Sequence, residues 1–166
     1  AVSVGQIAAA VGIKAPSLYN HFPSKRAIFD AIVEETAAQY EADTDRIDIH
    51  VQNARQDIPV FTRITEDGLL EKIRQIFFYS LHNETISRFR RMMTLEQFAA
   101  LYSRRYVERV TEYHAGIFRS LIAAGELRDE DAGAMALCYV APVITLIGIC
   151  DRQPEREAAC LQKLEA

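Results

Sequence analysis

Apolar positions along this chain recur every three or four residues, punctuated by capping residues, Gly and Pro, and that spacing predicts an all-α fold. Near the start, Val4, Ile7, Ala8 and Val11 fall on one helical face. Ser3 precedes them as an N-cap whose hydroxyl can accept from a first-turn amide, and Gln6 can reach back to complete a capping box. Gly12 follows the last apolar position, where a left-handed residue ends a helix. Ile13 is then expected to plug the turn, and Ala15 and Pro16 suit the first turn of a second helix, about 15–21, where proline forfeits no intrahelical hydrogen bond. After Pro23, Ser24 caps a third helix running to about residue 42, with Ile28, Phe29, Ile32, Val33 and Ala37 on one side. Two short helices meeting at a glycine form a helix-turn-helix.

The pattern divides the chain into a head, 1–42, and a larger helical body, 43–166. Residues 43–66 are less regular; Pro59 reads as a breaker, and a short amphipathic helix fits around 49–56. Thr65 caps a helix with a wide apolar stripe through Leu69, Leu70, Ile73, Ile76, Phe77, Ser80 and Leu81. A further helix spans about 84–98, and a long one about 99–124 ends at Gly125. The long helix has two apolar faces, one through Tyr102, Tyr106, Val110, Tyr113 and Ile117, the other through Val107, His114, Phe118, Leu121 and Ile122.

Residues 132–150 form a run of nineteen without a charge, bounded by Asp131 and Asp151. Its length admits a membrane span. Pro142 in the middle, acidic flanks and no Lys/Arg asymmetry argue against one. A helix apolar all round must then be buried all round. One side faces its own body and the other a second copy, so a homodimer is expected. Its interface would use His114, Phe118, Leu121 and Ile122 with Tyr139, Val143, Ile144 and Ile147 as a four-helix contact.

Composition adjusts this picture in a few places. The net charge of −4 excludes a generally nucleic-acid-coating protein, yet residues 1–30 carry a local +2 from Lys14, Lys25, Arg26 and Asp30. A basic tip on an acidic body orients the head toward DNA. Arg88, Arg90 and Arg91 read either as a second patch for nucleic acid or as a solvated helix face, with the solvated face favoured. Cys138, Cys150 and Cys160 make neither a disulfide framework nor a CxxC pair, and small buried hydrophobes in a reduced cytoplasm explain them better than a thiol sensor. No signal peptide is visible. His50, His82 and His114 lie on separate segments without HxxxH or ExxH spacing, and no GxSxG elbow occurs, so neither a catalytic nor a metal site is expected.

The head residues suit a duplex. Ala15, Pro16 and Ser17 are small enough to let the second helix approach base edges in the major groove. Lys14, Tyr19, Asn20 and His21 can donate to phosphates, which sets register, not sequence. The amides at the start of the third helix, with Lys25 beside them, form an anion site.

Ile7, Ala8, Gly12, Ile13, Leu18, Tyr19, His21, Phe22, Ser24 and Lys25 match, with the same spacing, the string that recurs in TetR/AcrR-type bacterial transcriptional regulators, and the head closely resembles theirs. The resemblance implies that Tyr19, His21 and Lys25 clamp phosphates while Lys14, Ala15, Pro16, Ser17 and Asn20 supply base-proximal contacts. It implies a dimer on a double-stranded, near-palindromic operator, with repression relieved when a small molecule enters the body. An amphipathic helix ahead of these two is expected in the family and is absent from this chain, and a short piece is expected between Phe98 and Ala99. Candidate effector-lining residues are Phe77, Leu81, Phe89, Met93, Tyr102, Tyr106, Val110 and Tyr113, a wall suited to a hydrophobic or aromatic effector, with no cofactor. The alternative is a dimeric small-molecule sensor or protein-interaction module that does not bind an operator.

Overall fold

The first helix, α1 (Val4–Ala10), is closed at both ends by the residues that announce it. In the computed structural model the Ser3 hydroxyl accepts from the Gln6 amide, and the Gln6 side chain accepts from the Ser3 amide at 2.8 Å. At the far end Gly12 takes φ +74°, its amide donating to Ala9 and that of Ile13 to Ala8. That pair of bonds is a Schellman motif. A Cβ on Gly12 would meet nothing within 4 Å, so Gly12→Ala costs only the left-handed backbone penalty, about 1–2 kcal/mol. Thermal unfolding should register that loss, while Gly5→Ala inside α1, where only the Ser3 hydroxyl lies within 4 Å at 3.8 Å, should not lower stability.

The structure describes residues 2–94 and 103–165, with the backbone alone at 103, 105 and 106. Two compact units divide between Gln39 and Tyr40. All regular secondary structure among the described residues is helical, and the fold is all-α. In the first unit, α2 (Ala15–His21) follows α1, and α3 (Lys25–Asp45) starts behind Ser24, whose hydroxyl accepts from the Ala27 amide. The core here is Val4, Ala8 and Leu18, with Ile7, Ala15, Phe22 and Ile28 packed against it. Three expected core positions are exposed instead: Val11, Ile13 and Ile32. Val11 is the C-cap, so it has already left the helical period, and Ile13 sits beyond the left-handed turn.

The second unit begins with the end of α3 and continues through α4 (Ala54–Arg63), α5 (Glu66–His82) and α6 (Glu84–Met93). A π-helical segment, Ser103–Glu108, leads into α7 (Arg109–Ala123), followed by α8 (Ala132–Arg152) and, after a 3-10 turn at Pro154–Arg156, α9 (Glu157–Glu165). The caps at Thr65, Asn83 and Asp131 each accept from an amide three residues on. Gly125 closes α7 at φ +79° with the same pair of bonds seen at Gly12.

Pro59 does not break a helix; it lies inside α4, which starts later than the expected 49–56 segment. Its missing amide leaves the Arg55 carbonyl without an intrahelical partner, and both residues are exposed, so water can serve that carbonyl. The expected helix over 84–98 is seen as far as Met93, and residues 99–102 of the long helix lie outside the described residues. The terminal helix α9 was not anticipated.

Two hydrophobic clusters hold the second unit. Phe77, Leu146, Ile147, Cys150 and Cys160 join α5, α8 and α9. Ile49, Tyr113, Ile117 and Leu121, with Phe61, Ile76 and Phe118 against them, join the α3–α4 connection, α4, α5 and α7. Among the described residues, α8 alone is long and apolar enough to cross a membrane, by length and composition. It packs along α7, α5 and α9, and carries Pro142 within it.

Candidate nucleic-acid interface

The two sides of α2 are chemically separate. Ala15, Leu18 and Phe22, at helical spacing, turn into the first unit's core. Lys14, Pro16, Ser17, Tyr19, Asn20 and His21 are exposed, Tyr19 at 52% despite its ring. A large apolar ring left in water on a short helix is the kind of group that gains from a partner surface, and its hydroxyl can donate to a phosphate. Ala15 is the one base-proximal candidate that is half-buried, because it belongs to the core-facing stripe.

Cations around this face are arranged unequally. Arg26 is tied down, its Nε 2.8 Å from Asp30 Oδ1 and its guanidinium 5.6 Å from the Phe29 ring centroid. Lys14 and Lys25 are exposed and make no ion pair among the described residues, which leaves their charge available to a phosphate backbone. Ser24 occupies the Ala27 amide, so the first amides of α3 remain beside Lys25 as anion donors. All eight candidate DNA-contacting residues therefore lie in one compact unit, on or next to α2.

The second cluster of arginines is engaged elsewhere. Arg88 pairs with Glu84, Arg90 forms a two-pronged pair with Asp151, and Arg91 donates to the Ser87 hydroxyl at 3.5 Å. They belong to the body's internal wiring and to a solvated helix face.

The expected effector-lining residues are spread over both clusters of the second unit. Phe77 and Leu81 belong to the α5–α8–α9 cluster, whereas Tyr113 belongs to the other. Phe77 and Met93 have no exposed surface, and Phe89 is buried. Val110 is half-buried, Tyr102 lies outside the described residues, and of Tyr106 only the backbone is described.

The expected dimer residues differ in how far their own subunit covers them. Leu121 and Ile147 are inside the subunit's own clusters, and Val143 packs against one of them. His114 and Phe118 lie against Tyr139 at ring-centroid distances of 4.8 and 5.9 Å within the same chain. Ile122 and Ile144 are half-buried. An apolar helix has no polar stripe to mark its outside, so periodicity alone does not separate its inner from its outer face. The outer stripe of α8 is Ala134, Leu137, Cys138, Pro142 and Thr145, with Leu137 53% exposed.

Sequence reasoning missed one polar centre. Asp57 is fully buried at the start of α4, where it accepts from the His50 amide at 2.7 Å and from the Tyr113 hydroxyl, and its other oxygen meets His50 Nδ1. Tyr113 is pushed above the usual phenol range by burial first and by this bond second, and burial pushes Tyr139 up to about 12. Its members come from three segments, so no local spacing could have revealed it. Among the described residues no group of three or more His, Cys, Asp or Glu is placed to hold a metal.

Residues 1–32 match the family model of bacterial regulatory proteins, tetR family. No curated protein and no solved structure matches the chain.

Proposed function

We propose that this chain is a DNA-binding transcriptional regulator that works as a homodimeric repressor on an inverted-repeat operator, a reading supported by the match of residues 1–32 to the model of tetR-family bacterial regulatory proteins. The observation that carries this reading is the division of α2: Ala15, Leu18 and Phe22 fix the helix to its unit, while Pro16, Ser17, Tyr19 and Asn20 stand free of it. Small residues at the start of a helix allow close approach to base edges, and Tyr19, His21 and Lys25 supply the flanking donors. Two such helices related by a two-fold axis read half-sites about 34–36 Å apart, or a multiple of that spacing.

Support for the second copy comes from α8. Its mean hydropathy reaches 2.1, yet only 28% of its apolar window is buried within the chain. Covering the stripe through Ala134, Leu137, Cys138, Pro142 and Thr145 with its own copy removes that surface from water. Leu137→Glu is the direct test. Sedimentation velocity should show the wild type as a dimer and the variant as a monomer with unchanged helical circular dichroism; a variant that stays dimeric removes α8 from the interface.

Within this reading the body takes a small hydrophobic or aromatic effector and releases DNA by favouring a conformation in which the heads no longer fit two half-sites. No cofactor, metal or catalytic step belongs to it. Three free thiols suit a reducing cytoplasm. Titrating a labelled operator complex with candidate effectors tests the release; a complex that none of them dissociates would leave a regulator without an inducer.

A further inference from the structure

One carboxylate holds the connection between α3 and α4 to the body. Asp57 has no exposed surface. Its Oδ2 accepts from the His50 amide at 2.7 Å and from the Tyr113 hydroxyl, and its Oδ1 meets His50 Nδ1. From the other side Lys72 on α5 donates its Nζ to the Ile47 carbonyl at 2.6 Å. Between these two fastenings the chain turns through Asp48, which takes the left-handed φ of +55°. Among the described residues no lysine or arginine pairs with Asp57, and His50 is the group placed to balance its charge. The His50 side chain keeps 30% of its surface in water, which gives a proton a route to and from the ring.

A second imidazole lies against the same tyrosine. His114, the residue after Tyr113 on α7, has its Nδ1 2.9 Å from the Val110 carbonyl. A carbonyl only accepts, so Nδ1 carries the hydrogen. The ring lies against Tyr113 and Tyr139, both at 4.8 Å between centroids.

We propose that the His50–Asp57 contact is a proton-operated latch, in which the charged imidazolium fastens residues 46–53 to α4 and loss of its proton lets that connection open. Neutral His50 can still donate from Nδ1, so the contact weakens by losing its counter-charge, not by losing its geometry. The groups that face the latch are Asp45 and Asp48 from the connection itself, Tyr113 and His114 from α7, and Lys72 from α5. The hydrogen bond to Asp57 first, then the fields of Asp57, Asp45 and Asp48, raise the His50 pKa above its ordinary 6.5. A raised pKa means that the latch is fully closed below about pH 6.5 and is lost as pH climbs through the raised value. For His114, burial lowers the pKa, so its contribution is present above about 6.5 and is lost as pH falls. The two histidines thus limit the body from opposite sides. The latch rests on the second unit alone and stands whether or not the head binds an operator.

Hydrogen exchange of the full-length protein read by mass spectrometry between pH 5.5 and 8.5, corrected for intrinsic rates, tests it. Opening of 46–53 should increase by up to tenfold per pH unit from about 6.5 to the raised His50 pKa and then level off, while α8 stays protected. His50→Gln should exchange this segment rapidly at every pH. A flat wild-type profile, or a wild-type profile in His50→Gln, overturns the latch. Imidazole NMR titration of the unaltered protein gives an independent check: His50 must titrate above 6.5 and His114 below it, and a His50 midpoint at or below 6.5 refutes the proposal.

Discussion

Arg90→Met should lower the unfolding free energy by about 3–5 kcal/mol, measured by urea denaturation. Arg90 and Asp151 are only 11% and 12% exposed, and they meet through two parallel bonds of 2.8 and 2.6 Å. The remaining prong of the guanidinium donates to the Ser80 carbonyl, so one side chain ties α6 to both α8 and α5. Removing the arginine strands a nearly buried carboxylate at the end of α8 and leaves the Ser80 carbonyl without this donor. The cost is therefore that of an uncompensated charge, not of a missing contact. The double variant Arg90→Met with Asp151→Leu should recover most of the loss, since apolar pairs of similar volume replace such bridges at little cost. A single-variant loss under about 1 kcal/mol would place the pair among solvated surface bridges instead.

The second large effect concerns DNA. Lys25→Ala should weaken binding to all sequences alike, whereas Asn20→Ala should weaken one sequence selectively. Lys25 is exposed beside the first amides of α3, a position for phosphate contact. In a symmetric dimer it acts twice, so its loss should reduce the slope of log affinity against log salt by about 1.8. Asn20 shares the exposed side of α2 with Pro16 and Ser17, and a base contact from it is worth about 1–3 kcal/mol per half-site. Fluorescence anisotropy over a salt series, with cognate and scrambled duplexes, separates the two. An unchanged salt slope for Lys25→Ala would move Lys25 out of the interface.

The head was legible in the sequence because its signals are local. Ser3, Gln6, Gly12 and Pro16 act within a turn of where they stand, and the structure places each at the cap or first turn that its chemistry dictates. Thr65, Gly125 and Asp131 were readable for the same reason. Burial was less so. Val11 and Ile13 are apolar but flank the turn, where the helical period no longer assigns a face.

In the body, periodicity gave the helices but not their neighbours. Leu121 and Ile147 carry the same hydropathy as residues on an outer face, and only tertiary packing shows that they look inward. Pro59 within α4 illustrates how packing overrides a local preference. The Asp57 centre joins residues 7 and 56 positions away in sequence, and such pairings leave no local trace. The terminal helix α9 is short, and it is held by Cys160, Leu161 and Leu164 in the cluster with Phe77 and Ile147, with exposed pairs from Arg74 to Glu165 and His82 to Glu157 added.

Everything proposed for regulation depends on two copies of α2 presented together to one duplex. Selection of genomic DNA fragments by the full-length protein, followed by stoichiometry of the enriched complex in solution, tests this most directly. The expected result is a single inverted repeat bound by two chains, with half-site centres separated by whole turns of the duplex. Enrichment of no sequence above bulk DNA, or one chain bound per selected duplex, would contradict it.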